Sequence, residues 1–241
     1  MITVVSFALE AFMALLAPPR CASCDASVRL FAAFCPTCAG TAVRMNAGAG
    51  PPVAAFIYGG AVARAIVRMK YESRPDLARP LGDLLWRALR PHARSLRGLV
   101  VVPVPLHVTR LVERGFNQSA LLARRLAGHA GHLDASFQPG ALARTKPTRQ
   151  QAALDRPARV TNVAGAFRVR QPAAIQGRTI LLVDDVTTTG ATFDACEEAL
   201  AGSGAADVRR IAVASAPQRV EEGAKERQAL RRPWGYHAGH P

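Results

Sequence analysis

Lysine is nearly absent from this 241-residue chain: three lysines stand beside 28 arginines, and with 17 acidic residues the net charge is +14 at pH 7. That balance suits an anionic substrate or nucleic acid, the alternative for part of it being a host that favours Arg over Lys. Aromatic residues are scarce, at 6%, and the arginines are spread along the chain instead of clustering. Both facts count against an aromatic-rich platform for single-stranded nucleic acid. Cysteine is confined, with four of the five falling between positions 21 and 38. In a chain with no evident export signal this favours metal over disulfides, and a reducing, cytoplasmic setting. The opening segment lacks a basic n-region and Glu10 interrupts its apolar run, so residues 3–17 read as an apolar-faced helix. A signal-like h-region is the alternative there, and no membrane insertion is expected. No G-x-x-x-x-G-K-[ST] occurs, which removes a P-loop nucleotide site, and no internal repeat is visible.

What is present is enough apolar material, 49%, for one packed domain of ordinary size and a small appendage. The central stretch is Ile180-Leu181-Leu182-Val183-Asp184-Asp185-Val186-Thr187-Thr188-Thr189-Gly190-Ala191-Thr192. Four aliphatics suit a central parallel strand covered on both faces. The strand is expected to end in two carboxylates, followed by a Thr/Gly turn into a helix from Ala191 to Ala201. Gly190 permits positive φ, and the loop amides, the helix N-terminus and the threonine hydroxyls converge on one spot, an anion cradle. Asp184 and Asp185 cannot hold the same anion. They can accept hydrogen bonds from a sugar diol, or bind Mg²⁺ directly or through water. A bland strand end with a threonine-rich cap is the alternative, at the cost of two buried acids without a ligand.

This run resembles the PRPP-binding loop of the type I phosphoribosyltransferases. The resemblance implies that Asp184 and Asp185 hold the ribose hydroxyls. It also implies that the turn from Thr187 through Thr188, Thr189, Gly190, Ala191 and Thr192 serves the 5-phosphate, with Mg²⁺ accompanying PRPP. Position 188 is Thr where 6-oxopurine transferases carry Asp, which disfavours a hypoxanthine or guanine acceptor.

Near the amino terminus Cys21-Ala22-Ser23-Cys24 faces Cys35-Pro36-Thr37-Cys38 across ten residues. Two such knuckles can set Cys21, Cys24, Cys35 and Cys38 tetrahedrally around one structural Zn²⁺. Free thiols and a redox pair are the alternatives, the latter weakened because no strand precedes either C-x-x-C. Residues 44–52 read as a small-residue linker, so the expected division is a zinc-ribbon module over 1–44, an α/β domain over 53–216 and a charged tail over 217–241. In the tail, Trp234 is a candidate anchor, while His237 and His240 lack supporting ligands. Cys196 reads as a core residue.

Strands are expected over 53–58, 99–102 and 208–215, and helices over 61–69, 77–89 and 118–130, the last capped by Asn117. The 99–102 strand runs into Pro103-Val104-Pro105-Leu106-His107, a stiff loop at a strand's carboxyl end, where an open α/β sheet binds ligand. Arg110 and Arg114 follow on one helical face. Val-Pro-Val-Pro-Leu-His, Arg-x-x-x-Arg-Gly-Phe-Asn-Gln, the four cysteines and the acid-pair loop together resemble the ComF family of competence-associated phosphoribosyltransferase-like proteins. That resemblance implies that Pro103, Val104, Pro105, Arg110 and Arg114 face the pyrophosphate, against the alternative of a solvated helix face for the arginines. It further implies that the basic stretch with Arg144, Lys146, Arg149 and Gln150 forms part of a lid over 144–167, against a charged surface hairpin. His107 carries no evident carboxylate partner.

The function expected is Mg-PRPP binding, with phosphoribosyl transfer to a nitrogen nucleophile as the reaction. A non-catalytic role is the alternative, in the resembled family's setting of single-stranded DNA import with an ATP-driven translocase. Any DNA contact would be weak and non-specific.

Overall fold

The computed structural model describes residues 18–45, 53–146, 163 and 165–216. The expected helix over 3–17, Arg149 and Gln150 of the lid, and the tail with Trp234, His237 and His240 lie outside the described residues.

Five strands form one parallel sheet: β1 (Ala54–Ile57), β2 (Val100–Pro103), β3 (Ser136–Phe137), β6 (Thr179–Thr187) and β7 (Asp207–Ser215), in the order β1-β7-β6-β2-β3. Period-2 alternation assigns each strand residue to one of two cores. Val101, Leu181, Val183, Ile211 and Val213 face one layer, and Val100, Val102, Ile180, Leu182 and Ala212 face the other. The first layer is made by α2 (Gly60–Tyr71), α3 (Ala78–Leu89) and α5 (Gln118–Ala130). The second holds the short α6 (Pro172–Ile175), α7 (Ala191–Ala201) and a short ribbon of β4 (Leu142–Arg144) paired antiparallel with β5 (Phe167–Val169). Burial on both faces explains why β6 reads as a nearly unbroken aliphatic run.

Strand β6 continues through Asp185 to Thr187, with Thr187 registered against Ser215 of β7. The acids therefore sit inside the strand instead of closing it, because β7 offers partners for the additional residues. Adjacent strands β2 and β6 send the chain in opposite directions, to β3 on one side and to β7 on the other. Such a switch point opens a crevice at the strands' carboxyl ends.

The cysteine segment packs on this body. Its short helix α1 (Pro36–Ala39) follows the second knuckle. Residues 43–45 pair antiparallel with β1: the Ile57 amide donates to the Val43 carbonyl at 2.9 Å and that of Met45 to Ala55 at 3.1 Å. Thr41 Oγ1 accepts from the Ala61 amide at 2.9 Å and so caps the start of α2. Gly60 there has φ +48°, and a Cβ on it would lie 2.4 Å from the Thr41 carbonyl oxygen, so only glycine fits.

Candidate functional site

An open cleft of about 200 Å³ lies at the carboxyl ends of β2 and β6. Its floor is Asp184 and Asp185, both buried. One wall comes from the loop after β2 (Val104, Pro105) and from α4 (Val108–Arg114), which contributes Arg110 and Arg114. Arg144 at the end of β4 and Thr192 in the first turn of α7 complete it.

Local chemistry fixes each part. His107 caps α4, its Nδ1 accepting from the Thr109 amide at 3.4 Å, and Gly115 ends that helix in the left-handed region at φ +80°. Asn117 caps α5 by accepting from the Ser119 and Ala120 amides at 3.0 and 3.4 Å. Its amide nitrogen donates to the Val104 carbonyl at 3.1 Å, which binds the prolyl loop to the helix start. Gly190, at φ +83°, turns the chain from β6 into α7, and Thr189 Oγ1 accepts from the Ala191 amide at 3.3 Å. Arg210 of β7 holds that helix from beneath through Asp194, at 2.6 Å, and Glu197.

The acids are not bare. Asp184 Oδ1 accepts from Ser119 Oγ at 2.7 Å and from the Asp185 amide at 2.8 Å, and Asp185 Oδ2 pairs with Lys70 Nζ. Burial, followed by the neighbouring Asp185 charge, pushes the Asp184 carboxyl up to about 7, while the Ser119 hydroxyl and Lys70 oppose the rise. For Lys70 burial acts to lower the pKa, but Asp185 prevails and the ammonium is held above its ordinary value.

Most of the residues singled out in the sequence meet here: Val104, Pro105, Arg110, Arg114, Arg144, Asp184, Asp185 and Thr192 line the cleft. Thr188, Thr189, Gly190 and Ala191 form the turn beside it. Pro103 and Thr187 do not reach the wall. Both are buried strand residues, Pro103 registered against Val183 and Thr187 against Ser215, because each strand runs further than its aliphatic core. Arg110 is engaged by Glu113 at 2.7 Å, while Arg114 donates to Gln118 and lies 5.6 Å over the Tyr71 ring. Arg144 belongs to the β4–β5 ribbon and stacks 5.4 Å over Phe167, and Lys146 is exposed just beyond it. The lid's two ends are thus packed strands, anchored by buried Leu142 and Phe167 instead of being polar loop.

Sequence reasoning missed Lys70 and Ser119, which reach the acids from elements 115 and 65 residues away. Rarity was the available signal for the first: Lys70 is one of three lysines in an arginine-rich chain.

Across α2 from the cleft, the Sγ atoms of Cys21, Cys24, Cys35 and Cys38 all lie within 4.8 Å of one another, with Cys24 and Cys35 3.7 Å apart. A tetrahedral Zn²⁺ with bonds of about 2.3 Å needs sulfur–sulfur edges of about 3.8 Å, so the four fit a metal ion such as zinc. Burial pushes the Cys21 thiol up, but the amides of Cys35, Cys24 and Ser23 outweigh it and bring the thiol from 9.0 down to about 7. For Cys38 the Ser23 hydroxyl pulls down, yet burial and the three neighbouring cysteines raise it to about 12. Cys21 is thus the readier thiolate of the two and Cys38 the more reluctant, and a bound cation would offset the cost of ionising both. Cys196 is buried in the second core, as expected of a packing residue.

No family model matches the chain. It is 33% identical over 203 residues to the DNA utilization protein YhgH of Escherichia coli K12, covering 78% of this chain and 87% of that one. It is 27% identical over 195 residues to competence protein F of Haemophilus influenzae, covering 79% and 82%. Among solved structures, phosphoribosylpyrophosphate synthetase of Mycobacterium smegmatis superposes with a TM-score of 0.33 at 20% identity, over 55% of this chain and only a third, 33%, of the synthetase. A hypoxanthine phosphoribosyltransferase of Staphylococcus aureus gives a TM-score of 0.33 at 14% identity, over 61% and 74%. With its four-cysteine cluster, its helix-flanked parallel sheet and these two named relatives, the chain belongs to the ComF family.

Proposed function

We propose that the cleft binds a ribose 5-phosphate ligand, Mg²⁺-PRPP foremost, in a protein that serves DNA uptake, a reading supported by relatives named for DNA utilization and for competence. The observation that carries this reading is the juxtaposition of two buried carboxylates with a Thr/Gly turn at the start of α7, under a wall bearing Arg110 and Arg114. Buried acids at a strand's carboxyl end are costly unless they serve a polar ligand, and a diol offers two donors to two carboxylates. The Thr188–Thr192 turn supplies hydroxyls and amides to a phosphate, while the arginines suit a second anionic group across the cleft. Mg²⁺, held by Asp184 or Asp185 directly or through water, would neutralise charge on a departing pyrophosphate. The reaction that such binding serves is phosphoribosyl transfer to a nitrogen nucleophile, which this chain assists by fixing the ribose and, with residues 144–167, by excluding water. The division into a cysteine module over 1–44 and a ligand-binding domain over 53–216 is part of the proposal, as is a structural role for zinc.

A second reading is favoured by the relatives' names together with Thr188 at the position where a purine transferase carries Asp. In it the protein binds the ligand without turnover and serves DNA import through contacts with a translocating ATPase. Calorimetry with Mg²⁺-PRPP tests binding, and a nucleobase panel followed for pyrophosphate release tests turnover. Asp184→Asn/Asp185→Asn is expected to cost about 2–4 kcal/mol of binding, since charge-assisted hydrogen bonds to both hydroxyls are replaced by weaker neutral ones. Unchanged affinity in that variant refutes the assignment, and pyrophosphate release with any base removes the second reading.

A further inference from the structure

The cysteine knuckle and the cleft meet at opposite sides of one helical turn. Arg68, in the last turns of α2, is only 8% exposed. It pairs with the Asp25 carboxylate, donates to the Ala22 carbonyl at 3.2 Å and to Glu72 Oε2 at 3.0 Å. Ala22 lies within the first knuckle, between Cys21 and Cys24, and is fully buried in the apolar cluster that holds Ile66 and Met69 of α2. Asp25 follows Cys24 directly, at φ +61°. Two residues beyond Arg68, Lys70 points into the cleft and meets Asp185.

We infer that Arg68, clamped by the cysteine knuckle through Asp25 and Ala22, is a positioning residue for Lys70, so that metal in the four-cysteine cluster sets the cation facing Asp185 in the cleft. The consequence for ligand rests on the reading of that cleft given above; the coupling itself does not. The two side chains divide the labour by their chemistry. A guanidinium fork can hold a carboxylate, a carbonyl and a neighbouring acid at once, which fixes the helix turn. Lysine carries a point charge on a flexible stem, and its buried contact with Asp185, and its pull on Asp184 beside it, depend on where the backbone places it. The knuckle that anchors Arg68 has too little apolar mass to keep its shape once the metal leaves. Losing the metal therefore releases Asp25 and Ala22, frees Arg68, and lets the turn bearing Lys70 drift from Asp185.

The test needs no ligand. Full-length, zinc-loaded protein is treated briefly with acetic anhydride, and acylation of Lys70 is read by mass spectrometry against exposed Lys146 in the same chain. Slow Lys70 labelling is expected, rising about tenfold relative to Lys146 when zinc is chelated. Asp25→Asn should raise it similarly with zinc retained, since Asn tolerates the left-handed backbone at position 25 and only the charge is lost. Chelation of Asp25→Asn should then add little more. Lys70 that stays protected in Asp25→Asn, or effects of variant and chelation that multiply as independent perturbations do, overturn the inference, even if chelation alone unfolds the protein. Calorimetry with Mg²⁺-PRPP on the same samples should show affinity falling at least about fivefold in step with Lys70 exposure. Affinity unchanged where Lys70 is exposed overturns the coupling to ligand. A zinc-loaded wild type that binds no PRPP sinks the reading of the cleft and leaves the acylation result standing.

Discussion

Removing the acid most central to the cleft should make this protein more stable. Asp184 is buried beside Asp185, and its carboxyl is driven to about 7 by burial and by that neighbour's charge. In the unfolded chain it titrates near 3.8. Below both values the group is protonated in either state and contributes no pH dependence. Between them the folded protein holds a proton that the unfolded chain has released, so stability falls as pH rises, at about 1.4 kcal/mol per unit. Above about 7 the loss is complete and constant. The Ser119 hydroxyl and Lys70 have already moderated the rise in pKa, and the net shift corresponds to about 4 kcal/mol. Asp184→Asn keeps an oxygen to accept from Ser119 and the Asp185 amide, and offers Asp185 an N–H where a repelling oxygen stood. Urea unfolding without Mg²⁺ should find wild type and variant alike near pH 4 and the variant more stable by that amount at pH 8. A variant less stable at every pH, or a difference that does not change with pH, would refute the reasoning.

Other expectations follow from single contacts. Purified protein should carry one zinc per chain by elemental analysis, falling below half an equivalent in Cys21→Ser. Asn117→Ala removes a cap for two amides and the bond to the Val104 carbonyl, and should cost about 1–2 kcal/mol in unfolding free energy and loosen the prolyl loop. Any affinity for single-stranded DNA should be non-specific and should weaken steeply between low and physiological salt in a gel-shift titration, as counterion release dictates. Tight binding at the higher salt would point to a dedicated nucleic-acid site.

Much of this was legible in order along the chain. Strong periodicity placed α3, α5, α7 and the β6–β7 pair within a residue or two, and Asn117 announced its helix. The four cysteines and the cleft's two main loops were readable because their chemistry is local: spacing, a positive-φ glycine, prolines at a strand end. Strands β3, β4 and β5 were not, since two or three residues carry no period and depend on a neighbour for their hydrogen bonds. The same reason hid Lys70 and Ser119. A lysine near a helix end and a serine in a first turn look like surface residues until the sheet brings β6 against them. Aliphatic composition also set the ends of β2 and β6 too early, because pairing carries a strand on through Pro103 and Thr187.

The seat of α2 on the cysteine segment bears on how this chain can be recombined. Thr41 caps its first turn over a glycine that admits no side chain, Arg68 fixes its last turns to the knuckle, and residues 43–45 lie along β1. A chimaera joined within residues 46–52 would pair a foreign helix with a native knuckle and mismatch all three contacts at once. The transferable piece, when parts are exchanged among relatives, runs from the first cysteine through Glu72 and carries strand β1 and helix α2 with the metal ligands.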